Sequence, residues 1–504
     1  MEQVSSHPFI FQLLILIPLL LFCFIITKSW LQKPSKNKKL PPSPPKLPIL
    51  GNLHQLSSSP HKDLQKLAEK YGPIMLLHYG NMPTLIVSSS DGAREIMKTH
   101  DLTFADRTDI GVSRRLLYDC KDVSVSPYGE YWRQLKSICV LQLLSNKRVQ
   151  SFGYIRKQET ELLVKKIEKS SRLPVNLSEI FTGYANDVVC RSAFGRKYSE
   201  GEKGKSFLGL LREFLELLGT ISVGDFVPGL SWINRVNGFD ARVDKVAKEL
   251  DEFLEGVIKE RMEIFDQEGV DSEKGENFVD ILLDIYLNNS SGVSFDRDSI
   301  KAIILDIFAA GTDTTSTVLE WAMAELLRHP KILKRLQNEV RSIAKDDITE
   351  NDLEKMHYLK AVIKETLRCH TPIPMLVPRK SRNDASVMGY DIPAGTMVMI
   401  NAWAISRDPG IWVEPEKFNP DRFLNSSVDY KGLDFELIPF GAGRRGCPGI
   451  AFAMATNEFM LASLVRRFDW RLPDEVKDLD MSERPGVAIH RDVNLVAIAN
   501  VYHC

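Results

Sequence analysis

The ten residues FGAGRRGCPG, Phe440 to Gly449, carry two kinds of chemistry at once. Gly441, Gly443 and Gly446 have the G-x-G-x-x-G spacing of a turn that cradles a dinucleotide pyrophosphate, while Cys447 offers a thiolate to a metal. The dinucleotide reading has local support. DFELIPF precedes the loop as a strand would, IAFAMATNEFMLASLVRRF follows as a helix, and Asp469 stands downstream as the acid. Only 58 residues follow Gly446 (504 minus 446), too few for the succession of βα units that such a sheet needs. Nor does a pyrophosphate turn gain anything from Cys447 followed by Pro448.

The thiolate reading uses both residues. Pro448 suits the first turn of a helix, which sets Cys447 at a helix N-terminus, where the dipole favours an anion and lowers a thiol's pKa. The glycines are expected to let the backbone pass close to something flat, and Arg445 supplies a planar fork for a carboxylate. A flat, carboxylate-bearing, thiolate-ligated group is haem, and an axial thiolate donates electron density that favours O–O cleavage. The alternative for a lone cysteine after a Gly-rich loop is a structural residue.

Two further clusters bear on that choice. In AGTDTT, Ala310 to Thr315, a glycine and three threonines occupy what reads as a helix interior. Threonine hydroxyls bonding to the preceding turn bend a helix, and an acid beside a hydroxyl, Asp313 and Thr314, can relay protons to a metal site opposite. A glycine kink with tolerated threonines is the plain alternative. In KETLR, Glu365 and Arg368 stand three apart, the spacing of an ordinary surface ion pair on a helix.

These residues need elements to hold them. Residues 296–329, closed by Pro330, read as a helix on the order of 50 Å long. Its middle is apolar on several faces, so it belongs through the centre of a domain. Residues 62–100 mix a helix with the strand-like runs IMLLHY and TLIVSS, and 128–330 are mostly helical patterns. Residues 386–401, with Pro393 and Gly395 between apolar runs, read as a β hairpin. The expected fold is mainly α with a small β portion, without internal repeats.

Residues 9–27, FIFQLLILIPLLLFCFIIT, form an apolar run long enough to span a bilayer. Lys28, Lys33, Lys36, Lys38 and Lys39 follow it, so a single signal anchor with the rest of the chain in the cytosol is expected. KKLPPSPPKLPILGN then reads as a stiff polyproline spacer. The chain divides into an anchor over 1–30, a basic and proline-rich hinge over 31–51 and a globular domain over 52–504. Seven cysteines without a C-x-x-C pair fit free thiols in a reducing compartment. The sequons at Asn176, Asn288, Asn289 and Asn425 would stay bare there. Lys plus Arg number 65 against 66 Asp plus Glu, which gives no global electrostatic reason to expect a nucleic-acid partner. Between Gly219 and Asp240, Phe226, Leu230, Trp232 and Ile233 suit either a core-packed loop or a lip dipping into the bilayer surface.

Taken together the motifs resemble the cytochrome P-450 superfamily of haem-thiolate monooxygenases, and most closely its plant microsomal members in the large specialised-metabolism clade. Phe440, Gly443, Arg445, Cys447 and Gly449 stand at the defining positions of the haem-binding signature. AGTDTT resembles the oxygen-activation segment and ETLR the buried Glu-x-x-Arg. FNPDRF, Phe418 to Phe423, resembles the segment whose Arg422 completes a network with Glu365 and Arg368. With anchor and hinge, the likeness covers essentially the whole chain.

The resemblance implies the cytochrome P-450 fold, with Cys447 as ligand to the iron of haem b and Asp313 with Thr314 managing protons during oxygen scission. It implies that Trp132, Lys136, Arg379 and Arg445 hold the haem propionates. Lys136 stands where the family usually has Arg, which keeps the charge but loses the bidentate fork, so a slightly weaker grip is expected. The implied partners are O2, a small lipophilic substrate, membrane lipid, and an NADPH–cytochrome P-450 reductase passing electrons through FAD and FMN. The implied place is the endoplasmic reticulum membrane, crossed once, with the catalytic domain cytosolic.

The resemblance also places pocket segments at Arg107 to Val123, Ile307 to Thr314, Ile373 to Val377 and Gly486 to Ile489. Their apolar members are Leu116, Leu117, Ala309, Ala310, Met375, Leu376, Val487 and Ile489, which suit a lipophilic molecule such as a terpenoid, a coumarin or other phenolic, or an aldoxime. The same residues also suit a plain core. Three rival functions are weighed. A haem-thiolate isomerase or dehydratase that uses no O2 often departs from the family at the alcohol Thr314. A membrane-tethered haem or lipid carrier would tolerate loss of Asp313 and Thr314. A phosphate-binding NTPase rests on SEGEKGKS at 199–206, but Ser199 takes the first glycine's place and the stretch reads as a polar loop.

Overall fold

A computed structural model describes residues 38–503 apart from 109, 199–200, 221 and 269–276. The expected anchor at 9–27 and the lysines up to Lys36 lie outside the described residues, as do Cys23, Cys504 and the first two residues of SEGEKGKS. The rest of that stretch opens the helix Gly201–Gly219, so the expected polar loop is corrected.

Most of the chain is helical, as the periodicity predicts. Helices α1 (Glu130–Ile138), α2 (Leu177–Phe194), α3 (Arg297–Arg328), α4 (His357–Cys369) and α5 (Ile450–Arg467) carry the argument. At the start of α3, the Asp296 carboxylate accepts the Ser299 N–H while the Ser299 hydroxyl faces the Asp296 backbone in return. This reciprocal cap satisfies two donors that the first turn leaves orphaned. Helix α3 runs unbroken through AGTDTT and packs on α2, α4 and α5. Gly311 is where α2 comes closest: a Cβ there would lie 2.9 Å from Val189 Cγ2. The glycine therefore serves helix contact, and the helix stays continuous through it.

The strands form small sheets, with Ile74–Tyr79, Met82–Val87 and Met397–Ile400 largely buried. A five-stranded sheet has the order β1 (Ile74–Tyr79), β2 (Met82–Val87), β8 (Met397–Ile400), β5 (Arg379–Lys380), β3 (Asp106–Arg107). A second has the order β4 (Pro174–Asn176), β12 (Val496–Val501), β9 (Phe468–Arg471). Two pairs complete the set: β6 (Ala385–Val387) with β7 (Tyr390–Ile392), and β10 (Glu483–Arg484) with β11 (His490–Arg491). The expected hairpin over 386–401 is thus shorter than its apolar pattern. It turns at Met388–Gly389, both left-handed, whereas β8 leaves it to lie parallel to β2. Alternation specifies a strand but not its partner.

The hinge is not a free spacer from Lys38 onward. Lys38 pairs with Asp384 at 2.7 Å, the Lys39 N–H donates to the Asp391 carboxylate while its carbonyl accepts the Asp391 N–H, and the Pro42 carbonyl accepts the Leu76 N–H. Pro42 thus lies against β1, while the Pro44 and Pro45 carbonyls accept the Asn52 amide. The stretch between Gly219 and Asp240 divides. Phe226 is buried edge-on against Tyr79, while Trp232 stays 58 % exposed.

Candidate functional site

The Cys447 loop is closed by its own backbone. Gly441 donates to the Ile438 carbonyl, Gly446 to Gly443 and Cys447 to Phe440, each at 3.0 Å. Gly441 and Gly443 have φ of 67° and 68°, a region costly for other residues. At Gly443 the close neighbour is protein: a Cβ would meet the Met97 carbonyl oxygen at 2.3 Å. The expectation that this glycine clears room for a flat group is corrected, since it admits the turn at residues 95–99. Phe440 packs edge-on against Tyr430.

Helix α5 begins at Ile450 with Gly449 as its N-cap, so Pro448 precedes the first turn instead of forming it. The Gly449 N–H donates to Cys447 Sγ at 3.3 Å. Burial pushes the Cys447 thiol up, and the Gly449 N–H and the Lys136 charge oppose it without reversing it. Burial of the sulfur thus opposes the lowering expected from the helix end. Lys136, on α1, reaches the same loop and donates to the Gly446 carbonyl at 2.5 Å.

Three guanidiniums converge beside this loop. Arg445 donates to the carbonyls of Ala105 at 2.7 Å, Ser126 at 2.6 Å and Val123 at 3.3 Å, and stacks 4.1 Å over the Trp132 ring. Trp132 spends its own N–H on the Val123 carbonyl at 3.0 Å. Arg379 donates to the Ala442 carbonyl at 2.7 Å and has Asp101 at 3.5 Å. Arg107, which the motifs do not mark, donates to Ser124, Val377 and Pro378 carbonyls. All three are buried. Burial lowers Arg445 and Arg379 to about 10, with the Arg379 charge adding to the effect on Arg445. Buried cations that rest on neutral carbonyls call for anions. The two carboxylates of haem are such anions, so the donor set fits the group whose iron Cys447 would hold.

Behind the loop, Glu365 and Arg368 on α4 are fully buried, which corrects the surface ion pair that spacing alone suggests. Arg368 Nε and Nη2 donate to the two Glu365 oxygens at 2.7 and 2.9 Å, and Arg422 Nε donates to Oε1 at 3.0 Å. The triad assembles as expected.

Along α3, the chain's exposure changes in mid-helix. Ala310 is exposed and Ile307, Ala309, Gly311, Asp313 and Thr314 are partly so, between turns that are buried. An exposed stripe deep in a central helix means that this face opens on an internal cavity. Thr314 Oγ1 donates back to the Ala310 carbonyl at 2.6 Å, the bond expected of it. Asp313 instead accepts a 2.7 Å hydrogen bond from His490 Nε2. The pocket residues are spread over several packed groups. Leu116 and Leu117 lie in the main core, Ile489 is buried on the run entering β11, and Met375 sits with Phe226. Leu376 approaches the Cys447 loop near Gly441, and Val487 abuts Gly219.

Besides Arg107, two groups escaped the motif reading. His490 is one. The other is Asp306, whose Oδ2 accepts the N–H groups of Val123 and Ser124 at 2.7 and 3.0 Å and so pins the 107–123 loop to α3. Burial holds its carboxyl well above the usual range, with the Asp122 charge adding. An acid inside the apolar run IILDIF was the available signal.

Comparison with known proteins agrees with this geometry. The sequence model of the family described as cytochrome P-450 matches residues 41–497. Cytochrome P-450 71A8 of Mentha piperita is 63 % identical over 502 residues, covering 99 % of this chain and 97 % of that one. Cytochrome P-450 736A117 of Prunus mume is 56 % identical, with 98 % and 96 % covered. Norfluorocurarine oxidase of a Strychnos species is 50 % identical, with 99 % and 100 % covered. Among solved structures, a zebra fish cytochrome P-450 with abiraterone superposes with a TM-score of 0.73 at 25 % identity, over 88 % of this chain and all of that one. A cysteine loop closed by its own backbone beside buried arginines, the buried Glu-x-x-Arg triad and these likenesses over nearly every residue lead to one conclusion: the chain belongs to the cytochrome P-450 family of haem-dependent monooxygenases, which take their electrons from a reductase.

Proposed function

We propose that this protein is a membrane-anchored haem-thiolate monooxygenase of the plant endoplasmic reticulum. It inserts one oxygen atom of O2 into a small lipophilic specialised metabolite, drawing NADPH electrons through an FAD- and FMN-containing reductase. The observation that carries the reading is the Cys447 loop, closed by backbone bonds and set beside three buried guanidiniums that rest mainly on backbone carbonyls, with Asp101 at 3.5 Å from Arg379 as their one ion-pair contact among the described residues. Haem bound there supplies O2 activation. Cys447 would hold its iron, Arg445 and Arg379 would meet its propionates, and Lys136 would place a positive charge beside the thiolate through Gly446. The Trp132 ring would brace Arg445 from one side.

Asp313 and Thr314 stand on the cavity face of α3, where they can hold and pass protons. Their presence favours oxygen insertion over an isomerase, a dehydratase or a haem carrier, none of which needs both groups. The relative named norfluorocurarine oxidase supports an oxidative reaction. Thr314→Ala is expected to uncouple NADPH use from product formation, read as product formed per NADPH consumed. Unchanged coupling would remove Thr314 from proton handling and reopen the non-oxidative alternatives.

Two exposed apolar stretches support seating on a membrane. Leu47 and Leu50 are 47 % and 41 % exposed, and Trp232 and Val236 are 58 % and 77 % exposed. The two stretches flank one turn: Gly80 donates to the Leu50 carbonyl and Asn81 to the Phe226 carbonyl. An apolar rim of this kind dips into the headgroup region. With the full chain in vesicles of brominated lipid, tryptophan fluorescence is expected to be quenched, and Trp232→Phe to abolish much of that quenching. Equal quenching in the variant would place this rim in water.

A further inference from the structure

Helix α3 presents Asp313, Thr317 and Glu320 along one face, at the i, i+4, i+7 spacing that aligns side chains on a helix. His490 lies against that face. Its Nε2 donates to Asp313 Oδ1 at 2.7 Å, and its Nδ1 lies 3.2 Å from Thr317 Oγ1 and 3.9 Å from Glu320 Oε2. The backbone around it is fixed from three directions. Trp321 Nε1 donates to the Ile489 carbonyl at 2.8 Å, Ile489 N–H donates to Pro372, and β10 pairs Arg484 opposite His490. Glu320 is held in turn by the Ser178 hydroxyl, which itself accepts the Leu495 N–H.

The neighbouring charges are already engaged. Arg491 donates to Val493 and to the Met481 sulfur, and lies over the Trp321 ring. Glu483 on β10 pairs with His61 and Lys62. Glu325, a turn further along α3, pairs with His370 and His329. Arg491 also feels the Glu320 charge, but without a hydrogen bond to it, so among the described residues the His490 imidazole is the cation that touches both Asp313 and Glu320.

We propose that His490 is the positioning residue and proton donor for Asp313, the middle member of a Glu320–His490–Asp313 relay that runs along the long helix from the cavity face at Asp313 toward Glu320. In the transfer step the Nε2–H proton passes to Asp313 Oδ1, leaving a neutral imidazole and a protonated carboxyl. Solvent returns a proton to the ring, whose side chain is 18 % exposed. Burial alone would disfavour the imidazolium, but the hydrogen bonds and charges of Asp313 and Glu320 outweigh it and raise the His490 pKa to about 9. The donor is therefore loaded through the neutral range and is lost as pH rises through about 9. This inference rests on the reading of Asp313 as a proton-handling residue.

The test uses the full chain, haem-loaded and reconstituted with its reductase, and two readouts that need no substrate. The first is the pKa of His490 from hydrogen–deuterium exchange at its ring C2, read by mass spectrometry. The second is NADPH consumption without added substrate, from pH 6.5 to 10 (a range chosen to bracket pKa values of about 6.5 and 9). His490 is expected to titrate near 9, and near the ordinary value of about 6.5 in Asp313→Asn with Glu320→Gln. His490→Gln is expected to slow consumption roughly tenfold or more at neutral pH and to erase the fall above pH 9, as loss of a group that orients a catalytic residue does. His490→Lys, which keeps the cation, is expected to restore the rate and carry it to higher pH. Titration of His490 near 6.5 in the wild type would overturn the relay, as would equal slowing in the Gln and Lys variants, which a purely structural bridge would give. If Asp313→Asn slows consumption and His490→Gln does not, this inference alone fails. If Asp313→Asn changes nothing, the underlying reading of Asp313 fails with it.

Discussion

Glu365→Ala is expected to leave almost no folded, haem-loaded protein. The carboxylate is fully buried and meets Arg368 through both oxygens, while Arg422 and the Asn419 N–H share Oε1. Its removal strands the Arg368 cation in the interior. Arg368 cannot turn to water, because Nη1 is already fixed between the Ser406 and Pro415 carbonyls at 2.8 and 2.7 Å. Breaking a buried pair by deleting one partner costs about 3–5 kcal/mol, a large part of the about 5–15 kcal/mol that stabilises a domain. Melting temperature and holoprotein yield check this. Lys245→Ala serves as the comparison, since its pair with Glu249 is 66 % and 47 % exposed and contributes less than about 1 kcal/mol. Glu365→Leu combined with Arg368→Met is expected to recover part of the loss, because no cation is then stranded in the fully buried interior and only the partly exposed Arg422 loses its carboxylate. A Glu365→Ala melting temperature equal to that of wild type would mean that the triad contributes nothing to the fold.

Cys447→Ala is expected to abolish the strongly red-shifted Soret band of the reduced carbon monoxide complex and all NADPH-dependent oxidation, while leaving the fold intact. The loop does not depend on the sulfur for its shape. Its three closing bonds run between backbone groups, and the side chain accepts one further bond, from the Gly449 N–H. Circular dichroism should therefore match wild type. The loss is chemical, since a thiolate ligand supplies the electron density that favours O–O cleavage and alanine supplies none. A variant that keeps the band would displace Cys447 from the iron and, with it, the monooxygenase reading of this site.

Much of the site was legible in short stretches of sequence. Cys447, Gly443 and Arg445 fall within five residues, Glu365 and Arg368 within one helical turn, and Asp313 beside Thr314. Spacing of this kind is preserved by any fold that keeps the segment helical or looped. The long helix was equally plain, because its cap, its apolar middle and Pro330 are local signals. The strands were less so. The run at residues 397–400 reads the same whether it pairs with its neighbour in the chain or, as it does, with β2 some three hundred residues earlier.

Sequence by itself therefore determined which groups are available: a thiolate in a rigid loop, an acid beside an alcohol, a carboxylate one turn from a guanidinium. Tertiary structure decided what each group faces. Asp313 meets His490 across 177 residues and Arg445 meets Ala105 across 340, while Gly443 is a glycine because the Met97 carbonyl crowds it. The reason is physical. A polar side chain takes its charge state and its partner from what is buried with it, and burial is set by which distant elements pack together.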